Sequence, residues 1–272
     1  TWMGYARELE DPRLSAEMAE VVAAHLEVML TSRPLCPAPI RYVESWWPFQ
    51  SPTPRADCVD AFCDALERAG ARLVAINLDA GDPALGERGL LSLPHLEDRI
   101  TSNVEVVATI VERTGCGIVN ALYGNREPRY DPVYQDRVAL NRLVAIADRL
   151  ADLGVWVVVE TLNQRDSPDF PLTDIAVSAE VVRRANLASQ RSNIGLLLDI
   201  YHLATMQHDP IAALYRYADL IRHIQFADVP GRGRPGTGDV NFAAIERAVL
   251  DTRYAGYIGL EYDPSVASRA DD

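Results

Sequence analysis

The sequence predicts an α/β protein built as a closed (β/α)8 barrel, and three observations carry that prediction. Short apolar, β-branched runs alternate with longer stretches of helical period, eight such runs are present, and 272 residues is the usual size of one eight-stranded barrel. Closure also leaves no exposed sheet edge. The chain reads as one domain over 1–272, with no linker, internal repeat or low-complexity segment.

Residues 1–24 read as an N-terminal helical extension, with helical period at 11–24 (DPRLSAEMAEVVAA), and the barrel strands occupy 25–263. Strands are expected at 25–32 (HLEVMLTS), 40–47 (IRYVESWW), 72–79 (RLVAINLD), 117–124 (GIVNALYG), 155–161 (VWVVVET), 194–200 (IGLLLDI), 221–229 (IRHIQFADV) and 257–263 (YIGLEYD). Helices are expected at 55–69, 95–114, 133–153, 173–187, 203–219 and 241–252, where apolar residues recur every three or four positions. Several end at a glycine, as at Gly70, Gly115 and Gly154. The first β/α unit is irregular. Only PLCPAPI and its neighbours join the first two strands, too short for a parallel crossover helix. Either the helix at 11–24 covers the flank left bare, or the first strand lies elsewhere than 25–32.

Composition narrows the chemistry. No run of about 18 apolar residues is present to span a bilayer. A net charge of −13 opposes binding to nucleic acid or anionic membranes. All 26 basic residues are arginines, so Schiff-base, pyridoxal-phosphate and P-loop lysine chemistry are excluded. Cys36, Cys58, Cys63 and Cys116 form no CxxC pair and read as reduced core thiols, and the acidic N-terminus shows no secretory pattern. Both point to the cytoplasm.

The last four strands carry Glu160, Asp199, Gln225 and Glu261 at or near their C-terminal ends, where barrel active sites form. Alternation places Glu160 above Trp156 and Val158 on one face, and Asp199 above Gly195 and Leu197 on one face of the next strand. Three inward carboxylates from neighbouring strands repel and are costly to bury, and a divalent cation resolves that cost. Three carboxylates and an amide oxygen, with no sulfur or imidazole, suit one hard ion, Mn2+ or Mg2+. Arg88, in the polar loop DPALGERG, is the local cation expected to grip a substrate carboxylate, with Gly86 and Gly89 allowing close backbone approach. Glu44, Asn120 and Asn163 are expected to support the site, and Trp46, Trp47 and Phe49 either to wall it or to pack.

GERGL (86–90), ETLNQRD (160–166), LDIYH (198–202), HIQFADVPGRGRPGTGD (223–239) and GYIGLEYDP (256–264), in this order on the predicted strand ends, resemble the hydroxypyruvate isomerases. These are xylose isomerase-like TIM barrels, a group that includes ketose 3-epimerases. The resemblance implies metal binding by Glu160, Asp199, Gln225 and Glu261, with Glu160 and Glu261 also moving the substrate proton. It further implies that His202 touches a substrate hydroxyl or Glu160, and that Arg232 orients the substrate.

The implied enzyme is an intramolecular oxidoreductase of carbohydrate metabolism, an aldose-ketose type isomerase converting hydroxypyruvate to tartronate semialdehyde through an enediolate. The alternatives are a 2-oxo-tetronate isomerase, a ketose 3-epimerase, or a sugar-acid-binding pseudoenzyme. Many related epimerases carry histidine where Gln225 stands, which favours the hydroxypyruvate side. Related endonucleases hold three zinc ions with many histidines, against five histidines here. The expected partner is a small hydroxy or keto acid or sugar, with self-association as a homodimer or homotetramer.

Overall fold

The computed structural model describes residues 42–45, 48–49, 51–263 and 266. Seven parallel strands lie in sequential order: β1 (Tyr42–Ser45), β2 (Arg72–Asn77), β3 (Ile118–Asn120), β4 (Trp156–Glu160), β5 (Ile194–Asp199), β6 (Ile221–Phe226) and β7 (Ile258–Leu260). Each matches one predicted run. The predicted strand at 25–32 and the helix at 11–24 lie outside the described residues. Although β1 and β6 are far apart in sheet order, Glu44 of β1 bonds His223 and Gln225 of β6. A sheet brings such strands together only by curling back on itself, as a barrel does.

The helices are α1 (Ala56–Arg68), α2 (Glu97–Thr114), α3 (Pro132–Leu150), α4 (Ile175–Ala188), α5 (Ile200–Thr205), α6 (Pro210–Arg216) and α7 (Phe242–Asp251). In α1, Cys58, Val59, Phe62, Cys63, Ala65 and Leu66 form the buried stripe that the spacing predicts. Asp131 caps α3 by accepting from the Tyr134 N–H, with Pro132 in the first turn, and Gly115 ends α2 in the left-handed conformation. None of these helices is long and apolar enough to cross a membrane.

One predicted helix, 203–219, is in fact two. Gln207 takes a positive φ of 59°, and Asp209 then starts α6 by accepting from the Ile211 and Ala212 N–H groups ahead of Pro210. A proline with an aspartate cap before it restarts a helix more readily than it continues one.

The core lies between the outer sheet face and the helices. β5 is buried along its whole length, consistent with a parallel strand covered on both sides. Phe49 packs edge-on against Phe62 at 5.8 Å and serves this core. Cys58, Cys63 and Cys116 are buried free thiols, and burial pushes the Cys116 thiol up to about 12.

Candidate metal and substrate site

The register aligns the site. Asp199 pairs across the ladder with Gln225, Gln225 with Gly259, and Asn77 with Asn120. Glu160 is the last residue of β4, Asp199 the last of β5, and Glu261 follows β7 directly, its N–H bonded to the Phe226 carbonyl. The four predicted strand-end residues therefore share the C-terminal rim, where Glu160 is 4%, Asp199 0% and Gln225 7% exposed.

Charge is unbalanced there. Arg232 Nη2 lies 3.2 Å from Asp199 Oδ2 and 3.1 Å from Glu261 Oε2, and its guanidinium covers the Tyr201 ring. Three carboxyl groups crowd around this guanidinium, and their mutual repulsion resists joint ionisation. Burial, then the charges of Glu261 and Asp199, hold the Glu160 carboxyl well above its ordinary range. Burial also lifts Asp199 to about 6, although Arg232 and the backbone N–H groups of Tyr201 and His202 oppose it. Burial works against the Arg232 charge, but Glu261, Asp199 and Glu160 outweigh it.

His202 enters the same cluster. One ligand atom each from Glu160, Asp199 and His202 lie within 4.8 Å of one another, with His202 Nε2 3.6 Å from a carboxylate oxygen of both acids. The imidazole is not a ready ligand, because its hydrogen bonds dictate its tautomer. The Asp166 N–H donates to Asn163 Oδ1 at 2.8 Å, which fixes the Asn163 amide. The Asn163 N–H and Nδ2 then both approach His202 Nδ1, at 3.0 and 2.8 Å, so Nδ1 is an acceptor. Burial, with Arg232 and Arg88 adding, drives the ring well toward neutrality. A neutral ring that accepts at Nδ1 carries its proton on Nε2 and presents a donor to the site.

The residues fit a divalent cation by their donor chemistry. Glu160, Asp199 and Glu261 supply carboxylate oxygens, and Gln225 Oε1 is a buried acceptor with no hydrogen-bond donor among the described residues. Asn120 Oδ1 also lacks one, but its Nδ2 donates to Glu160 Oε2 at 2.8 Å, and it does not stand beside Asp199 in the register. An unpaired buried amide oxygen in line with a carboxylate suits a hard ion.

Loops place the remaining candidates. The Asp228 carboxylate accepts from the N–H groups of Val229, Gly236, Gly238 and Val240 at 2.8 to 3.0 Å. That braces the loop carrying Arg232, which has a positive φ of 64°. Its Nε donates to the Glu261 carbonyl and its own carbonyl accepts from the Asp263 N–H, so the unusual backbone is held from both sides. Arg88 is half-buried, its Nη1 donates to the Pro83 and Glu87 carbonyls, and its charge reaches His202. Gly89 has a φ of 98°, and a side chain there would overlap the Leu122 backbone, whereas Gly86 faces open space, so of the two glycines expected to allow a close approach only Gly89 makes one, to Leu122.

Asp166, Tyr201 and Asp228 escaped the sequence reading. Tyr201 OH and Asn163 Nδ2 both donate to Asp166 Oδ2, at 2.9 and 2.7 Å. Their only trace in the sequence was membership of the motifs ETLNQRD, LDIYH and FADVPGR. A cavity of about 460 Å3 opens at the opposite end of the strands, lined by Arg72, Trp156, Arg222 and Tyr254, and none of the acid cluster borders it.

A family model described as a xylose isomerase-like TIM barrel matches residues 38–271. A putative hydroxypyruvate isomerase of Streptomyces coelicolor is 40% identical over 243 residues, covering 88% of this chain and 87% of that protein. The hydroxypyruvate isomerase of Escherichia coli is 28% identical over 194 residues, covering 71% and 74%. A 2-oxo-tetronate isomerase of Pectobacterium atrosepticum is 25% identical over 249 residues, covering 89% and 91%. Among solved structures, a family 2 AP endonuclease from Brucella melitensis aligns with a TM-score of 0.76 at 24% identity, covering 93% of this chain and 90% of that one. A D-psicose 3-epimerase from Clostridium cellulolyticum aligns at 0.66 and 15% identity, covering 92% and 81%. At those identities the structures share the fold alone. The match along most of the chain, together with the Streptomyces relative, establishes that this chain belongs to the hydroxypyruvate isomerase family of xylose isomerase-like TIM barrels.

Proposed function

We propose that the chain is a sugar-acid isomerase dependent on one divalent cation, Mn2+ or Mg2+, that interconverts hydroxypyruvate and tartronate semialdehyde. The observation that carries this reading is the convergence of the Glu160, Asp199 and Glu261 carboxyl groups on one rim, next to a buried Gln225 oxygen with no donor among the described residues. The named isomerase relatives support it.

Glu160, Asp199, Gln225 and Glu261 would hold the ion, which when bound supplies Lewis-acid stabilisation of an enediolate. One of Glu160 and Glu261 removes the proton from the hydroxymethyl carbon, breaking its C–H bond as the electrons form the enediolate double bond. A carboxylic acid of the same pair returns a proton to the neighbouring carbon, while the hydroxyl proton passes to the former carbonyl oxygen, so that the old hydroxyl oxygen becomes the aldehyde carbonyl. The raised Glu160 carboxyl suits such an exchange, since burial beside other acids strengthens its hold on a proton that it must take and return. His202 Nε2–H donates to a substrate oxygen as negative charge grows there, and Arg232 orients the same end. Arg88 receives the substrate carboxylate at the rim.

The 2-oxo-tetronate isomerase relative favours a second reading with the same chemistry on a substrate one carbon longer. Assays of hydroxypyruvate, 2-oxo-tetronates and free ketoses with Mn2+ test both. Turnover of hydroxypyruvate that EDTA abolishes is the expected result, and activity on free ketohexoses alone would overturn the assignment.

A further inference from the structure

We infer that Glu44 is a positioning residue that fixes the Gln225 amide with its oxygen available to the cation, and that Gly259 is glycine to admit the Glu44 carboxylate. The inference rests on the metal-dependent reading above. It begins from an ambiguity that Asp199 and Glu160 do not have. Either oxygen of a carboxylate ligates, whereas an amide ligates through one atom and presents donors from the other.

Glu44 removes the ambiguity. Its Oε1 lies 3.3 Å from Gln225 Nε2, and its Oε2 2.7 Å from His223 Nε2. An ionised carboxylate only accepts, so the amide atom facing it must be the NH2 group. Oε1 of Gln225 is then the atom left over, and it is the one that lacks a donor among the described residues. His223, two residues earlier on the same face of β6, occupies the second oxygen and stops the carboxylate from turning away.

The third strand of the arrangement is β7. Gly259 stands in register with Gln225, and a Cβ built there would overlap Oε1, Oε2 and Cδ of Glu44. Its φ is ordinary, so space and not backbone conformation calls for glycine. The side chain missing from β7 is replaced by one reaching over from β1. Outer groups that orient a metal ligand are commonly worth tenfold to a hundredfold in metal affinity.

The test uses the full chain, with Mn2+ titrated calorimetrically into wild type, Glu44→Ala, Gly259→Ala and the double variant, each checked for folding by circular dichroism and urea midpoint. Gly259→Ala keeps the Glu44 charge and displaces only its carboxylate, so it separates orientation from simple electrostatics. Each single variant is expected to lose about tenfold or more in affinity, and the double variant no more than the worse single one, because both act through one carboxylate. The orientation itself is read in metal-free wild type from the side-chain NH2 resonances of the six glutamines, with that of Gln225 assigned by its absence in Gln225→Glu. One Gln225 proton is expected downfield and protected from exchange, and Glu44→Ala abolishes this. Affinities within twofold of wild type, a double variant that multiplies the two losses, or a Gln225 NH2 group resembling the solvent-exposed ones would overturn the inference. Wild type that takes up no Mn2+ overturns the metal reading and this inference with it. Binding in wild type that is undiminished in the variants overturns this inference alone.

Discussion

Replacing Asp199 with asparagine in metal-free protein should make the protein relatively more stable as the pH rises, although the site is thereby destroyed. Burial lifts this carboxyl from its ordinary 3.8 to about 6, against the help of Arg232 and two backbone N–H groups. Between those two values the native state still holds a proton that the unfolded state has released. Stability therefore falls as pH rises through this window, and the penalty is complete above the folded value. Lifting the carboxyl that far corresponds to roughly 3 kcal/mol, at 1.36 kcal/mol for each tenfold change in proton affinity. Asparagine escapes that penalty and relieves Glu160 of one repelling charge, which acts in the same direction, while its lost contacts to Tyr201 and Arg232 add an offset. Urea denaturation in EDTA between pH 4 and 7 is expected to show Asp199→Asn gaining on wild type by on the order of 3 kcal/mol. Mn2+ at a thousand times its Kd should offset this gain above pH 6, since a ligand at that excess stabilises the native state by about 4.1 kcal/mol. A stability difference that stays constant with pH, or that shifts in favour of wild type as pH rises, would refute the argument that Asp199 is held against its ionisation.

Glu160→Gln and Glu261→Gln should each fold normally and lose at least about a hundredfold in kcat, the low end of what proton transfer contributes, and undiminished turnover in both would overturn the mechanism. Arg232→Ala should raise the Asp199 carboxyl further, because Arg232 is the largest influence holding it down, and this is checked by the pH at which Mn2+ uptake falls by half. That pH is expected to move upward. Asn163→Ala removes the Nδ2 contact but keeps the backbone N–H on His202 Nδ1, so 15N spectra of the imidazole should still show a single Nε2–H form. Mixed tautomers would show that the backbone N–H does not suffice to hold the proton on Nε2. Arg88→Leu should raise KM for hydroxypyruvate about tenfold or more, the loss of one charged hydrogen bond, and leave KM for any neutral ketose unchanged.

Periodicity was enough to place all seven described strands, because runs such as VWVVVE and IGLLLD are buried on both faces and admit few other conformations. It failed at 203–219, where a single residue with positive φ and an Asp-Pro pair divided one apolar stripe into two helices. The strand-end acids were equally readable. Glu160, Asp199, Gln225 and Glu261 each stand at a fixed offset from an apolar run, and the parallel register brings such positions together without further information.

What the sequence by itself determined, then, is the barrel's strand order and which polar residues cap its strands, since both follow from local patterns of two- and four-residue period. Tertiary structure decided how those residues are oriented. That the His202 proton sits on Nε2, that Gln225 turns its NH2 group to Glu44, and that Gly259 makes room for Glu44 all depend on contacts between residues 39, 181 and 215 positions apart. Hydrogen bonds and volume exclusion act through space over a few ångströms, and residues so distant along the chain carry no local pattern that announces them.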